Sequence, residues 1–189
     1  MENIKVRITG TRPLLMHAAT GADPLNPLTK AHKLLTSKRK KTDDDQEQIA
    51  KSEWRMSLYW NEELGPYIPD ASLEASVIQG AKLRKLGTTF KRGFEVIDTE
   101  MKLEYDGPRD ILRMWSNGFY DARSVKVSQA RIIRDRPMFK NWSFEATIMY
   151  DETILDKQTI LDCLQDAGEY CGIGDYRPKF GRYSVEEVK

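Results

Sequence analysis

Towards its C-terminus the chain reads GIGDYRPKFGRY, where Gly172, Gly174 and Gly181 frame Tyr176, Arg177, Lys179 and Arg182. Glycine lets a backbone approach an anion closely, guanidinium and ammonium groups neutralise phosphate, and a phenol ring offers a face for a base to stack on. By itself the same run also describes a helix cap at Gly172, a loop and a last strand. A second set of cations, Lys82, Arg84, Lys91 and Arg92, lies mid-chain, and Lys38 to Lys41 form a basic run just ahead of Asp43, Asp44 and Asp45. The formal net charge is only +1. Such a chain does not coat nucleic acid indiscriminately, so any affinity must come from local segregation of these charges.

Other chemistries are thinly supplied. His17 and His32 are the only histidines, and no HExxH, GxSxG or Walker sequence occurs. Cys163 and Cys171 stand eight apart, unlike the paired CxxC of a zinc site, and read as two reduced, partly buried thiols. No metal site and no cofactor are expected. The chain has no run of about eighteen apolar residues, and MENIKVRITG alternates where a signal peptide would carry an unbroken apolar stretch. The expectation is a cytoplasmic protein with no membrane association.

These residues need elements to hold them. Ile4, Val6 and Ile8 alternate with Lys5, Arg7 and Thr9, the period of a strand with one buried face. Gly10 and Pro13 end it, and AATGADPLNPLTK reads as an extended loop. A short basic helix from about Thr29 to Lys41 and a second from Asp43 to Trp60 form a helical insertion at about 28–62. In PYIPDASLEASVIQGAKLRK a short extended piece bracketed by Pro66 and Pro69 enters a helix capped by Asp70 or Ser72. GTTFKRGFEVID reads as a mobile basic loop, and Met101, Leu103 and Tyr105 as one strand ended by the turn DGP. A short helix near Asp110 to Ser116 precedes one or two strands over Ser124 to Phe139. Trp142, Phe144, Ala146, Ile148 and Tyr150 give the clearest period of two, with their aromatic rings in the core. Lys157 to Cys171 is an amphipathic helix ended by Gly172, and Phe180, Tyr183 and Val185 suggest a last strand. Setting the insertion aside, the order strand, helix, strand, strand, helix, strand predicts one α+β domain over 1–189: a ferredoxin-like (split βαβ) antiparallel sheet with helices on one face.

Three segments carry a resemblance to a known family. GIGDYRPKFGRY resembles the glycine-rich loop near the C-terminus of the RAMP superfamily, whose members are backbone and guide-processing subunits of CRISPR effector complexes. PYIPDASLEA resembles the segment in which an Ile-Pro pair enters a helix, and GADPLNPLT is similar to the proline-rich stretch ahead of it in type III backbone subunits. Asp70 stands where the family usually has glycine, and Ala75 and Ile78 where its helix often has glycine and arginine. A stand-alone phage-encoded relative fits the same pattern.

The resemblance implies binding of single-stranded RNA or DNA along the sheet and its loops, by a protein that assembles with copies of itself or related subunits. Arg177, Lys179 and Arg182 would contact the nucleic-acid backbone, Tyr176 would stack, and Gly174 and Gly181 would shape the loop. Lys82, Arg84, Lys91 and Arg92 would add a second basic edge, and Lys38 to Lys41 a flexible arm. Asp23 falls in the loop where type III backbone subunits carry an aspartate linked to metal-dependent RNA cleavage, although an aspartate before Pro24 is equally a turn residue. His17 could serve as a general base in the manner of the guide-processing members, or simply pack at a strand end. The alternatives are a protein-interaction or inhibitor protein on the same fold, for which Tyr59 and Trp60 would be aromatic anchors if exposed, and a metal-dependent ribonuclease.

Overall fold

Every second residue of the first strand is buried in the computed structural model, which describes residues 1–188, with backbone alone at Val127. Strand β1 (Glu2–Gly10) buries Ile4, Val6 and Ile8 and exposes Asn3, Lys5, Arg7 and Thr9, as a pleat with one face on a core requires. The chain continues through β2 (Leu14–Leu15), a 3-10 turn (Ala19–Ala22), α1 (Pro27–Thr36) and α2 (Asp43–Ser57). Next come β3 (Trp60–Asn61), β4 (Gly65–Pro69), α3 (Asp70–Leu83), α4 (Gly87–Gly93), β5 (Phe94–Val96), β6 (Glu100–Lys102) and β7 (Glu104–Tyr105). Helix α5 (Ile111–Ser116) then leads into β8 (Tyr120–Val127), β9 (Ala130–Phe139) and β10 (Trp142–Tyr150). Helix α6 (Lys157–Asp166) runs into a π turn (Ala167–Cys171), and β11 (Tyr183–Glu187) follows. The class is α+β with antiparallel sheets. Among the described residues no helix is long and apolar enough to cross a membrane.

Two compact units share the chain. One comprises Met1–Leu14, Trp60–Asp106 and the residues from Lys140 onward; the other comprises Leu15–Tyr59 and Gly107–Phe139. The helices expected as an insertion at about 28–62 thus fall in the second unit, together with α5 and the β8–β9 hairpin.

The first unit is built on the sheet β11-β1-β10-β5, with β7 also pairing β10. Its register sets Ile4 opposite Ile148, Val6 opposite Ala146, and Ile8 between Phe144 and Val185, so one face is apolar from edge to edge. Helices α3 and α6 bury Leu73, Val77, Ala81, Ile160, Cys163 and Leu164. They run close together, because a Cβ on Gly80 would lie 2.5 Å from the Cys163 carbonyl oxygen. The other sheet face is polar: Glu145 takes both Lys5 Nζ and Arg7 Nη2 at 2.6 Å, and these hydrogen bonds hold its carboxyl below the usual range.

In the second unit, α2 starts on a reciprocal cap. The Thr42 hydroxyl accepts from the Asp45 amide at 3.2 Å, and the Asp45 carboxylate accepts from the Thr42 amide at 3.0 Å, satisfying two donors the helix start leaves open. Lys38 reaches Asp45 at 2.5 Å; this contact, with the amide bond, draws the Asp45 carboxyl down to about 2. Trp54 is 1% exposed and donates to the Phe119 carbonyl at 2.8 Å, with Trp115 edge-on at 5.8 Å. Glu53 joins Arg134 of β9 at 2.5 Å.

Five expectations change. Helix α3 starts at Asp70 with Pro69 at its N-cap and no side-chain cap, so neither Asp70 nor Ser72 caps it. Residues Gly87–Val96 form α4 and β5, not a mobile loop. Phe90 is fully buried and lies 5.4 Å from the Phe94 ring, and β5 pairs with β10, so two aromatics and a sheet edge outweigh two glycines. The strand expected at Met101 to Tyr105 is two strands with different partners, β6 on β4 and β7 on β10. Helix α1 begins at Pro27, not near Thr29, because the Asn26 side chain accepts from the Leu28 amide at 2.9 Å and proline suits the first turn. The last strand begins at Tyr183; Phe180 is spent inside the preceding loop. The two cysteines are free thiols, Cys163 buried and Cys171 half-buried, as expected.

Candidate functional site

The π turn ends at Gly172, whose amide donates to the Ala167 carbonyl at 2.7 Å. From there the chain makes a loop that closes on itself: the Ile173 amide donates to Gly181 O at 2.8 Å, and the Gly181 amide to Pro13 O at 2.8 Å. Gly181 has φ +71°, and a Cβ there would lie 1.8 Å from the Ile173 carbonyl oxygen. Its role is therefore steric, since its amide is already engaged and the crossing leaves no room for a side chain. Below the loop, the buried Ser76 hydroxyl donates to Gly172 O at 2.8 Å and lies 3.0 Å from the Tyr183 hydroxyl; burial pushes that phenol well above its ordinary range. These hydrogen bonds hold the base of the loop.

Its outer part carries the expected groups. Tyr176, at φ +56°, is 45% exposed, with its ring edge-on to Phe180 at 5.9 Å. Arg177 and Lys179 are exposed, while Arg182 donates from Nε to the Pro178 carbonyl at 3.0 Å and so ties the loop with one of its five donors. Two grooves of about 480 Å³ flank this segment. One is lined by Gln79, Tyr170, Cys171, Asp175, Tyr176 and Arg177, with one carboxylate among its groups. The other is lined by Arg12, Lys179, Arg182, Pro13, Pro178 and Phe180. Burial raises the Cys171 thiol, against the pull of the nearby Arg177 guanidinium.

Two residues join the site unannounced by the sequence. Arg12 is placed by the Thr11 and Arg12 amides, which both donate to Arg182 O at 2.8 and 3.2 Å, and by the Trp142 indole, which donates to Arg12 O at 2.8 Å. Tyr170, 55% exposed, stands on the π turn. A cation just past a strand end and an aromatic in a helix's last turn were the available signals, and both are too common to select.

The remaining candidates lie elsewhere. Arg84 binds Asp166 at 2.5 Å and Asp162 at 3.3 Å, so it ties α3 to α6. Lys82 sits near the end of α3 with its stem over Gly87, and Lys91 and Arg92 are exposed on α4. None of the four lines either loop groove. Lys38 to Lys41 form the α1–α2 connection, where Lys38 pairs with Asp45 and Lys41 donates to Lys38 O at 2.9 Å. Asp23 is exposed and accepts from the Leu25 amide at 2.9 Å, a turn contact. His17 is exposed, with Nδ1 3.4 Å from the Ser57 hydroxyl. Among the described residues no group of three or more His, Cys, Asp or Glu is placed to hold a metal ion. Tyr59 and Trp60 are half-buried.

No protein-family model matches the chain, and no curated protein matches it in sequence.

Proposed function

We propose that this chain is a RAMP-like, single-stranded nucleic-acid binding protein that assembles along the strand, and that its C-terminal loop is the principal contact. The convergence of Arg12, Lys179 and Arg182 on one groove, beside a second groove bearing Tyr170, Tyr176 and Arg177, carries the reading. Phosphates suit the first groove and Arg177 of the second, and bases suit the tyrosines of the second, because guanidinium and ammonium groups attract the backbone while exposed phenol rings stack without regard to sequence.

The first unit supports a ferredoxin-like reading of the fold. In chain order its core elements are β1, α3, β5, β10, α6 and β11. In the sheet the fourth of these strands lies beside the first, the first beside the third, and the third beside the second, all antiparallel. This order supports the split βαβ reading. The polar sheet face carries Glu95, Glu145 and Glu186 against Lys5 and Arg7, with no aromatic ring at the exposed positions of β1, so the proposed path follows the loop and not the sheet.

Fluorescence anisotropy with labelled single-stranded RNA and DNA, at low and at moderate salt, tests the reading. Micromolar binding that weakens steeply with salt is expected. Absence of binding by protein with an intact circular-dichroism spectrum sinks it.

A further inference from the structure

The second unit contains a groove that the nucleic-acid reading leaves unused. Its volume is about 800 Å³, and it runs between α1, α2 and α5. Helix α1 contributes Ala31 and Leu35, one turn apart. Helix α2 contributes Gln48, Lys51, Ser52 and Arg55, spaced to share one helical face, and α5 contributes Leu112 and Trp115. Leu112 is 81% exposed, and Leu35, Ile111 and Trp115 are half-buried along the same groove. A lone exposed leucine is unremarkable, but apolar side chains gathered along a groove mark an interaction surface.

Charge selects the occupant. Lys51, Arg55 and Arg113 line the groove, and no Asp or Glu does. Glu47 pairs with Lys51 from outside it, at 2.7 Å, and Arg113 is exposed at the groove. The aromatic surface is already committed: Trp54 is buried, and Trp115 stacks on Tyr120 at 4.5 Å with Trp54 edge-on. Apolar side chains therefore suit this groove better than nucleobases. A helix is roughly 10 Å across and rises about 5.4 Å per turn, so the groove accepts the inward face of roughly two turns.

We propose that this groove docks an amphipathic helix of a partner protein, with apolar anchors at i, i+3 or i+4 and i+7 entering between α2 and α5 and carboxylates beside them meeting Arg55 and Arg113. The site is independent of the C-terminal loop and stands whether or not the chain binds nucleic acid.

The probe is a designed, labelled helical peptide of about eighteen residues with leucines at that spacing and glutamates flanking them, and a twin carrying lysine at every glutamate. Anisotropy should show micromolar binding of the acidic peptide, roughly tenfold or more tighter than its twin. Leu112→Asp, at an exposed position in a helix's first turn, should abolish binding, and Arg113→Glu should shift preference toward the lysine twin. Circular dichroism controls for folding of both variants. No binding of either peptide at about 100 μM, or equal binding of both, overturns the proposal. So does a single-stranded oligonucleotide whose affinity falls on Leu112→Asp and Arg113→Glu, which would assign the groove to nucleic acid. A concentration-dependent dimer in sedimentation that Leu112→Asp dissolves also overturns it, since the occupant would be a second copy.

Discussion

The loop groove of the first unit and the helical groove of the second both gather cations, yet they are built in opposite ways. In the loop, Arg12, Lys179 and Arg182 stand on backbone locked by its own hydrogen bonds, among exposed tyrosines. In the helical groove, Arg55 and Arg113 rim a wall of Leu35, Leu112 and Trp115. Exposed charge on a loop beside stacking rings gives a long-range, salt-sensitive attraction for a polyanion, whereas charge along a helical groove selects among partners that the apolar wall holds. Cation content therefore does not distinguish the two, and neither does apolar lining, since Pro13, Pro178 and Phe180 line the loop groove; the elements that carry the cations do.

The largest effect that could break this comparison is on nucleic-acid affinity. Replacing Arg12, Arg177 and Lys179 together with alanine, while retaining Arg182 because its Nε holds Pro178 O, should weaken single-strand binding roughly a hundredfold at low salt. It should also reduce the slope of log affinity against log salt by about 2, since each lost phosphate contact removes about 0.7. Titrations at several salt concentrations measure both. The same variant should bind the acidic helical peptide as the parent does, and a parallel loss there would show that the two grooves are not distinct. Gly181→Ala comes next. Its Cβ meets the Ile173 carbonyl at 1.8 Å from a left-handed backbone, so thermal unfolding should register a loss of at least about 2–3 kcal/mol. Unchanged stability would mean that the loop base is looser than its hydrogen bonds imply.

Much of the first unit was legible in the sequence because its strands alternate: Ile4, Val6 and Ile8, and Trp142 through Tyr150, announce both the strand and its buried face. The C-terminal loop was legible as a loop, yet the work of its glycines was not. Composition suggested close approach to an anion, while Gly181 is needed where two stretches of the protein's own backbone cross. The helical groove was invisible, since Leu35, Arg55 and Leu112 come from three separated segments, and each alone reads as an ordinary position on an amphipathic or polar helix. Arg84 shows the converse: it was read as part of a basic edge, but two α6 aspartates sit within its reach, and sequence distance conceals such pairings.

The smallest expected effect concerns a buried carboxyl of the second unit outside its groove. Asp135 of β9 is 8% exposed, and burial, followed by repulsion from Glu53 and Asp121, raises its carboxyl above the usual range. A carboxyl raised in the folded state binds more protons there than in the unfolded chain, so its ionisation lowers stability as pH climbs from the unfolded value through the folded one. Above the folded value the protein bears that cost. Asp135→Asn removes the charge and keeps the shape, so it should raise the melting temperature at pH 7 by a few degrees, given that about 1 kcal/mol corresponds to roughly 2–4 °C at this chain length. The gain should shrink as the pH is lowered toward 4, because the parent then carries the proton itself. Melting curves at both pH values check the sign: a destabilised amide at pH 7 would mean that the carboxylate is held by contacts worth more than its burial costs.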